Sequence, residues 1–77
     1  MNLIALEKPV ILWTSVNSIE IKKLGYERED KRLHIAFKRG DIPQEHCNVP
    51  EKIYRDFLTS QSKGTYYKQY IEGKYQC

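Results

Sequence analysis

The hydrophobic spacing of this chain changes once, at Pro50, and that change narrows the folds open to it. Upstream, Leu33, Ile35 and Phe37 alternate with His34, Ala36 and Lys38, the period of a strand buried on one side. Downstream, Ile53, Tyr54, Phe57 and Leu58 recur at helical spacing. Strands first and helices afterwards, within 77 residues, predict one α+β domain: a small, mainly antiparallel β-sheet followed by two α-helices packed on one face. So short a chain has room for a single core and needs large side chains to fill it. Six Tyr, two Phe and one Trp supply them.

Val10 to Thr14 is β-branched and aromatic and apolar on both faces. It is either a central strand covered twice or an edge strand that meets a second copy of the protein. Residues 1–15 thus form an N-terminal extension with strand character, and residues 16–77 the domain. Ile19 and Ile21 share one parity and Leu24 and Tyr26 the other, and a bulge or bend near Lys23 would bring all four to one face. Glu27 to Arg32 is too polar for a core and reads as the loop of an antiparallel hairpin. Pro43 limits the next strand, about Gln44 to Asn48, to a short peripheral one. Pro50 opens the first helix, which runs through Ser60. Ser62 caps a second that extends to about Lys74, weakened by Gly64 and Gly73.

The chemistry on offer is sparse. His34 stands alone in a strand, and His46 is adjacent to Cys47, which places their side chains on opposite faces of any strand. No catalytic set, metal-ligand spacing or phosphate-binding loop is present, and the sequence implies no enzyme activity and no cofactor. Cys47 and Cys77 share no Cys-x-x-Cys spacing and read as free thiols of a reduced, cytoplasmic protein. No window is long and apolar enough to span a membrane, so none is expected as a partner.

The net charge of +3 resides between residues 16 and 40, where seven bases face four acids. At 100° per residue, Lys63, Tyr66, Tyr70 and Lys74 fall on neighbouring arcs of the second helix. They combine ammonium groups for phosphate with rings for base stacking, and Lys38 and Arg39 are outer phosphate contacts. These six residues form the expected nucleic-acid-binding face. The ordinary competing role for such tyrosines is in the core, with the lysine stems covering them.

Four segments in order carry a family resemblance. They are Val16-x-Ser18-x-x-Ile21-x-x-Leu24-Gly25-Tyr26, Leu33-x-Ile35-x-Phe37-x-x-Gly40, Val49-Pro50-x-x-Ile53-Tyr54, and Ser62-Lys63-Gly64-x-Tyr66-Tyr67-x-x-x-Ile71-x-x-x-Tyr75. Over Val16 to Tyr75 the chain resembles the KTSC domain, a module found at the C-terminus of some lysyl-tRNA synthetases and free-standing in bacteria and their phages. The resemblance implies an α+β fold and, as function, binding of RNA or another single-stranded nucleic acid. The alternative is a protein-interaction module, such as an inhibitor or accessory protein of a phage or other mobile element acting on a host protein. The chain departs from the family at Gln44 and His46, where a Tyr-x-Tyr pair is usual, at Ile19 in place of a serine, and at Lys68 in place of an asparagine.

Overall fold

Four strands precede two helices in the computed structural model, which describes residues 11–77: β1 (Leu12–Ser15), β2 (Ile21–Glu27), β3 (Arg32–Phe37), β4 (Gln44–His46), α1 (Glu51–Thr59) and α2 (Lys63–Tyr70). The strands pair in chain order as an antiparallel sheet, β1-β2-β3-β4. This is the α+β architecture that the change of period at Pro50 predicts. Val10, the first residue of the predicted N-terminal strand, lies outside the described residues.

The register explains which side chains enter the core. Ile21 pairs with Phe37 and Lys23 with Ala36, so one residue is inserted between them, as the parity of the sequence indicates. The bulge brings Ile21 and Leu24 to the same face, and both are fully buried. Ile19 does not join them. The Ser18 hydroxyl accepts hydrogen bonds from the Glu20 and Ile21 N–H groups, closing a turn that leaves Ile19 93% exposed.

The hairpin loop is shorter than the polar run suggests. Glu27 and Arg32 are the last paired rung of β2 and β3, and only residues 28–31 turn, with Lys31 in the left-handed region at φ 55°. Glu27 is therefore buried, contrary to the sequence reading, and its Oε2 meets Nε2 of the buried His34. Both lie on the sheet face turned away from the helices, in the same layer as Trp13 and Gly25. A Cβ on Gly25 would stand 2.5 Å from Ile11 Cγ2 and 3.2 Å from the Trp13 ring, so glycine here makes room for the N-terminal strand. The Lys23 ammonium lies over the Trp13 ring, 4.6 Å from its centroid.

On the opposite face, Leu24, Leu33 and Ile35 pack with Val49, Phe57 and Ile71, all fully buried. Pro50 is the extended N-cap of α1, one position before its predicted place. The apolar stripe that follows puts Phe57 at the centre and stacks Tyr54 on Tyr26, with centroids 4.6 Å apart. The Tyr26 hydroxyl donates to the Val49 carbonyl, fixing the strand-to-helix crossing. Ser62 caps α2 by accepting from the Thr65 N–H, as predicted. The helix stops at Tyr70, four residues before its predicted end at Lys74. Ile71 leaves helical geometry, and Gly73 at φ 78° turns the chain back.

That reversal overturns the reading of the cysteines. The terminal segment returns along the β4–α1 connection, where the Cys47 N–H donates to the Tyr75 carbonyl at 2.9 Å. This backbone contact brings the Cα atoms of Cys47 and Cys77 to 4.8 Å, and the two side chains form a disulfide. No free thiol remains among the described residues. The cytoplasmic assignment loses the support it drew from reduced thiols. No helix of the described residues is long and apolar enough to cross a membrane.

Candidate nucleic-acid interface

At the end of the sheet opposite the hairpin turn, three segments meet: the Val16 to Glu20 turn, the bend after β3, and the start of α2. The Lys38 N–H donates to the Glu20 carbonyl at 2.8 Å, holding the first two together. The third lies against the first at Gly64, where a Cβ would stand 2.5 Å from Glu20 Oε1, the mobile end of a side chain that reaches the first turn of α2. A negative charge is favoured at that position by the free N–H groups and the helix dipole.

Two adjoining grooves result. One, of about 600 Å³, runs from Asn17 and Ser18 past Lys38 to Ser62, Lys63 and Lys68. Its neighbour, of about 640 Å³, is bounded by Phe37, Lys38, Arg39, Tyr67 and Lys68. Ile19, Glu20, Lys38 and Lys68 belong to both. Together the grooves display four cations, Lys38, Arg39, Lys63 and Lys68, with Glu20 the one carboxylate lining either. At the opposite end of the sheet, Glu27, Glu29 and Asp30 line a third groove beside Arg28, whose guanidinium pairs with Glu51 at 3.1 Å. Lys31 and Arg32 belong to the same hairpin end, so its charges are mixed, whereas the two basic grooves carry one sign apart from Glu20.

The six residues expected to form one face are separated by the fold. Lys38 and Lys63 line the same groove, and Arg39 lines the adjoining one. The Lys63 ammonium also donates to the Ser60 carbonyl, which tethers it at the groove edge. Tyr66 is turned towards α1. Its ring stacks on Phe57 with centroids 5.3 Å apart, and its hydroxyl donates to the Ile53 carbonyl at 3.1 Å. Burial first, and Asp56 next, raise its pKa. Tyr70 lies beside Tyr66 at 4.7 Å and is 49% exposed, while Lys74 occupies the turn beyond α2. None of these three lines the basic grooves described above.

Lys68 is the groove residue that the sequence reading did not select. Its signal was available, because Lys68 is one helical turn after Gly64 and shares its side of α2. Tyr67 is the other. Its hydroxyl meets Gln44 Oε1 at 3.1 Å, its ring meets Phe37 edge to face with centroids 5.5 Å apart, and burial raises its pKa. Among the described residues no group of three or more His, Cys, Asp or Glu side chains is placed to hold a metal ion.

A four-stranded antiparallel meander with a helix pair on one face and a Ser-Lys-Gly cap at the second helix defines a recognisable class of small domain. The profile of the KTSC domain matches residues 17–75, and the chain belongs to that family. It is similar to a KTSC domain protein from Yersinia pestis, whose crystal structure superimposes with a TM-score of 0.83 at 28% identity, covering 88% of this chain and 94% of that one. It is also 32% identical over 56 residues to a lysine–tRNA ligase of Nostoc punctiforme. That match takes in 73% of this chain but only 10% of the ligase.

Proposed function

We propose that this KTSC protein binds nucleic acid, single-stranded RNA foremost, through the basic end of the sheet. One observation carries the reading: four cations from two separate segments, the bend after β3 and α2, line two adjoining grooves in which Glu20 is the one opposing carboxylate. Lys38, Arg39, Lys63 and Lys68 are the phosphate contacts in this reading. Tyr66, Tyr70 and Lys74 are an extension of the contact face around α2, with Tyr70 the exposed ring. A relative named as a lysine–tRNA ligase, whose sequence includes a stretch similar to this domain, supports RNA as the partner class.

Titration of short single-stranded RNA, single-stranded DNA and duplexes at low and physiological salt tests the reading. Each phosphate contact on a single strand contributes about 0.7 to the slope of log affinity against log salt, so four contacts give a slope near −3. A folded Lys38→Ala/Lys68→Ala protein should lose about 1.4 of that slope and bind more weakly to every sequence. Absence of saturable binding to all three, or equal binding by the double variant, rejects it.

A second reading, a protein-interaction module directed at a host protein or a second copy, draws on Leu12 and Ile42, which are 72% and 84% exposed. Leu12 lies on β1, an edge of the sheet among the described residues. It is the reading to adopt if the nucleic-acid titrations fail.

A further inference from the structure

The second basic groove differs from the first in having an aromatic wall. Phe37, from the end of β3, and Tyr67, from the middle of α2, meet edge to face at 78°, both partly exposed. This geometry is fixed from two sides, since Gln44 on β4 holds the Tyr67 hydroxyl and Phe37 packs against the core. Ile19 stands at the lip, 93% exposed, and Lys38, Arg39 and Lys68 surround the opening. The arrangement combines an ordered apolar surface with three cations within one groove of about 640 Å³.

Taking the proposed nucleic-acid binding as its basis, we infer that this groove receives an unstacked nucleobase against Phe37, Tyr67 and Ile19, while Lys38, Arg39 and Lys68 hold the flanking phosphates. Charge complementarity selects the polyanion, and the ring pair selects a strand whose bases are free. A duplex satisfies the first requirement and not the second, because its bases are stacked on one another. The base contact is therefore assigned to Phe37 and Tyr67 in preference to Tyr66. The Tyr66 ring is stacked on Phe57 and lies outside this groove, whereas Tyr67 lines it and meets Phe37 and His46 in edge-type contacts only. Ile19 closes the lip by apolar contact with the base or sugar, and its contribution is independent of salt.

The test compares a short single-stranded oligodeoxynucleotide with an abasic oligomer of the same length and charge, each bound to the full chain and to Ile19→Ser. Ile19 makes no core contact, so this variant should keep the parent melt, and it removes no charge. The inference predicts that the base-bearing strand binds roughly tenfold tighter than the abasic one, as loss of a stacked base implies. Ile19→Ser should narrow this gap several-fold and leave the salt slope unchanged. Photocross-linking of iodouracil-substituted RNA should then label Tyr67 or Phe37. Equal affinity for the base-bearing and abasic strands, or labelling confined to Tyr70, overturns the base site while leaving the basic groove intact. Failure of both strands, and of single-stranded RNA and duplexes of the same length, to bind overturns the nucleic-acid reading itself, and the base site with it.

Discussion

Replacing both cysteines with serine removes the covalent link around the helical layer, because α1 and α2 both lie between Cys47 and Cys77. The bridge spans a sequence separation of 30 residues. For a loop of that length the chain-entropy relation gives about 12 cal/mol/K, or about 3.6 kcal/mol at about 25 °C. A chain of 77 residues is expected to have only about 4–12 kcal/mol of total stability. The link is thus a large share of the whole, and its loss should lower the melting temperature by on the order of 20 °C. Urea unfolding of the oxidised parent, the reduced parent and Cys47→Ser/Cys77→Ser measures the effect. The reduced parent and the double variant should unfold at similar, lower midpoints, with circular dichroism of the folded state preserved. An intact mass that retains both thiol hydrogens, together with midpoints within about 0.5 kcal/mol of one another, would refute the bridge and its energetic role.

Other consequences of the packing are equally open to measurement. Phe57→Ala and Ile71→Ala each empty a fully buried site and should cost roughly 3–5 and 2–5 kcal/mol in denaturant unfolding; retention of the parent midpoint by both would show the core to be elsewhere. Gly25→Ala places a methyl against Ile11 and Trp13 and should cost about 1–3 kcal/mol while shifting Trp13 emission towards that of a water-exposed indole; an unchanged spectrum would separate β1 from this contact. Burial holds the His46 imidazole below its ordinary pKa of 6.5, against a smaller opposing effect of the Tyr75 backbone, and neither ring nitrogen has a partner in good hydrogen-bonding geometry. The native state therefore binds fewer protons than the unfolded chain just below pH 6.5, and stability should fall on acidification from there until the folded-state pKa is passed. Relative to the parent, His46→Phe should flatten that acid slope, and parallel pH–stability curves would contradict the assignment.

Much of the fold was legible because it depends on local rules. The parity change around Lys23 pointed to a bulge or bend, Ser62 supplied a side-chain cap, and Pro43 restricted β4 to a short edge strand. What remained hidden depends on pairing between distant segments. Glu27 and Arg32 look like loop residues until their rung places Glu27 beside His34 on the far face. The disulfide follows from the reversal at Gly73 and the Cys47–Tyr75 backbone contact, neither of which spacing alone reveals. The candidate interface was legible in its residue types and not in their grouping. A helix ending at Tyr70 rather than Lys74, together with the stacking of Tyr66 on Phe57, separates two of the chosen rings from the grooves. Lys68 and Tyr67 are brought forward in their place.

Nuclear magnetic resonance titration of the isotopically labelled, disulfide-intact protein with single-stranded RNA reports both whether RNA binds and where. Saturable shifts are expected at Ile19, Lys38, Arg39, Lys63, Gly64, Tyr67 and Lys68, diminishing as salt is raised. The acidic groove at Glu29 and Asp30 should be unaffected. Unchanged spectra at saturating RNA, or shifts centred on Leu12 and Ile42, would contradict RNA binding at the basic end of the sheet.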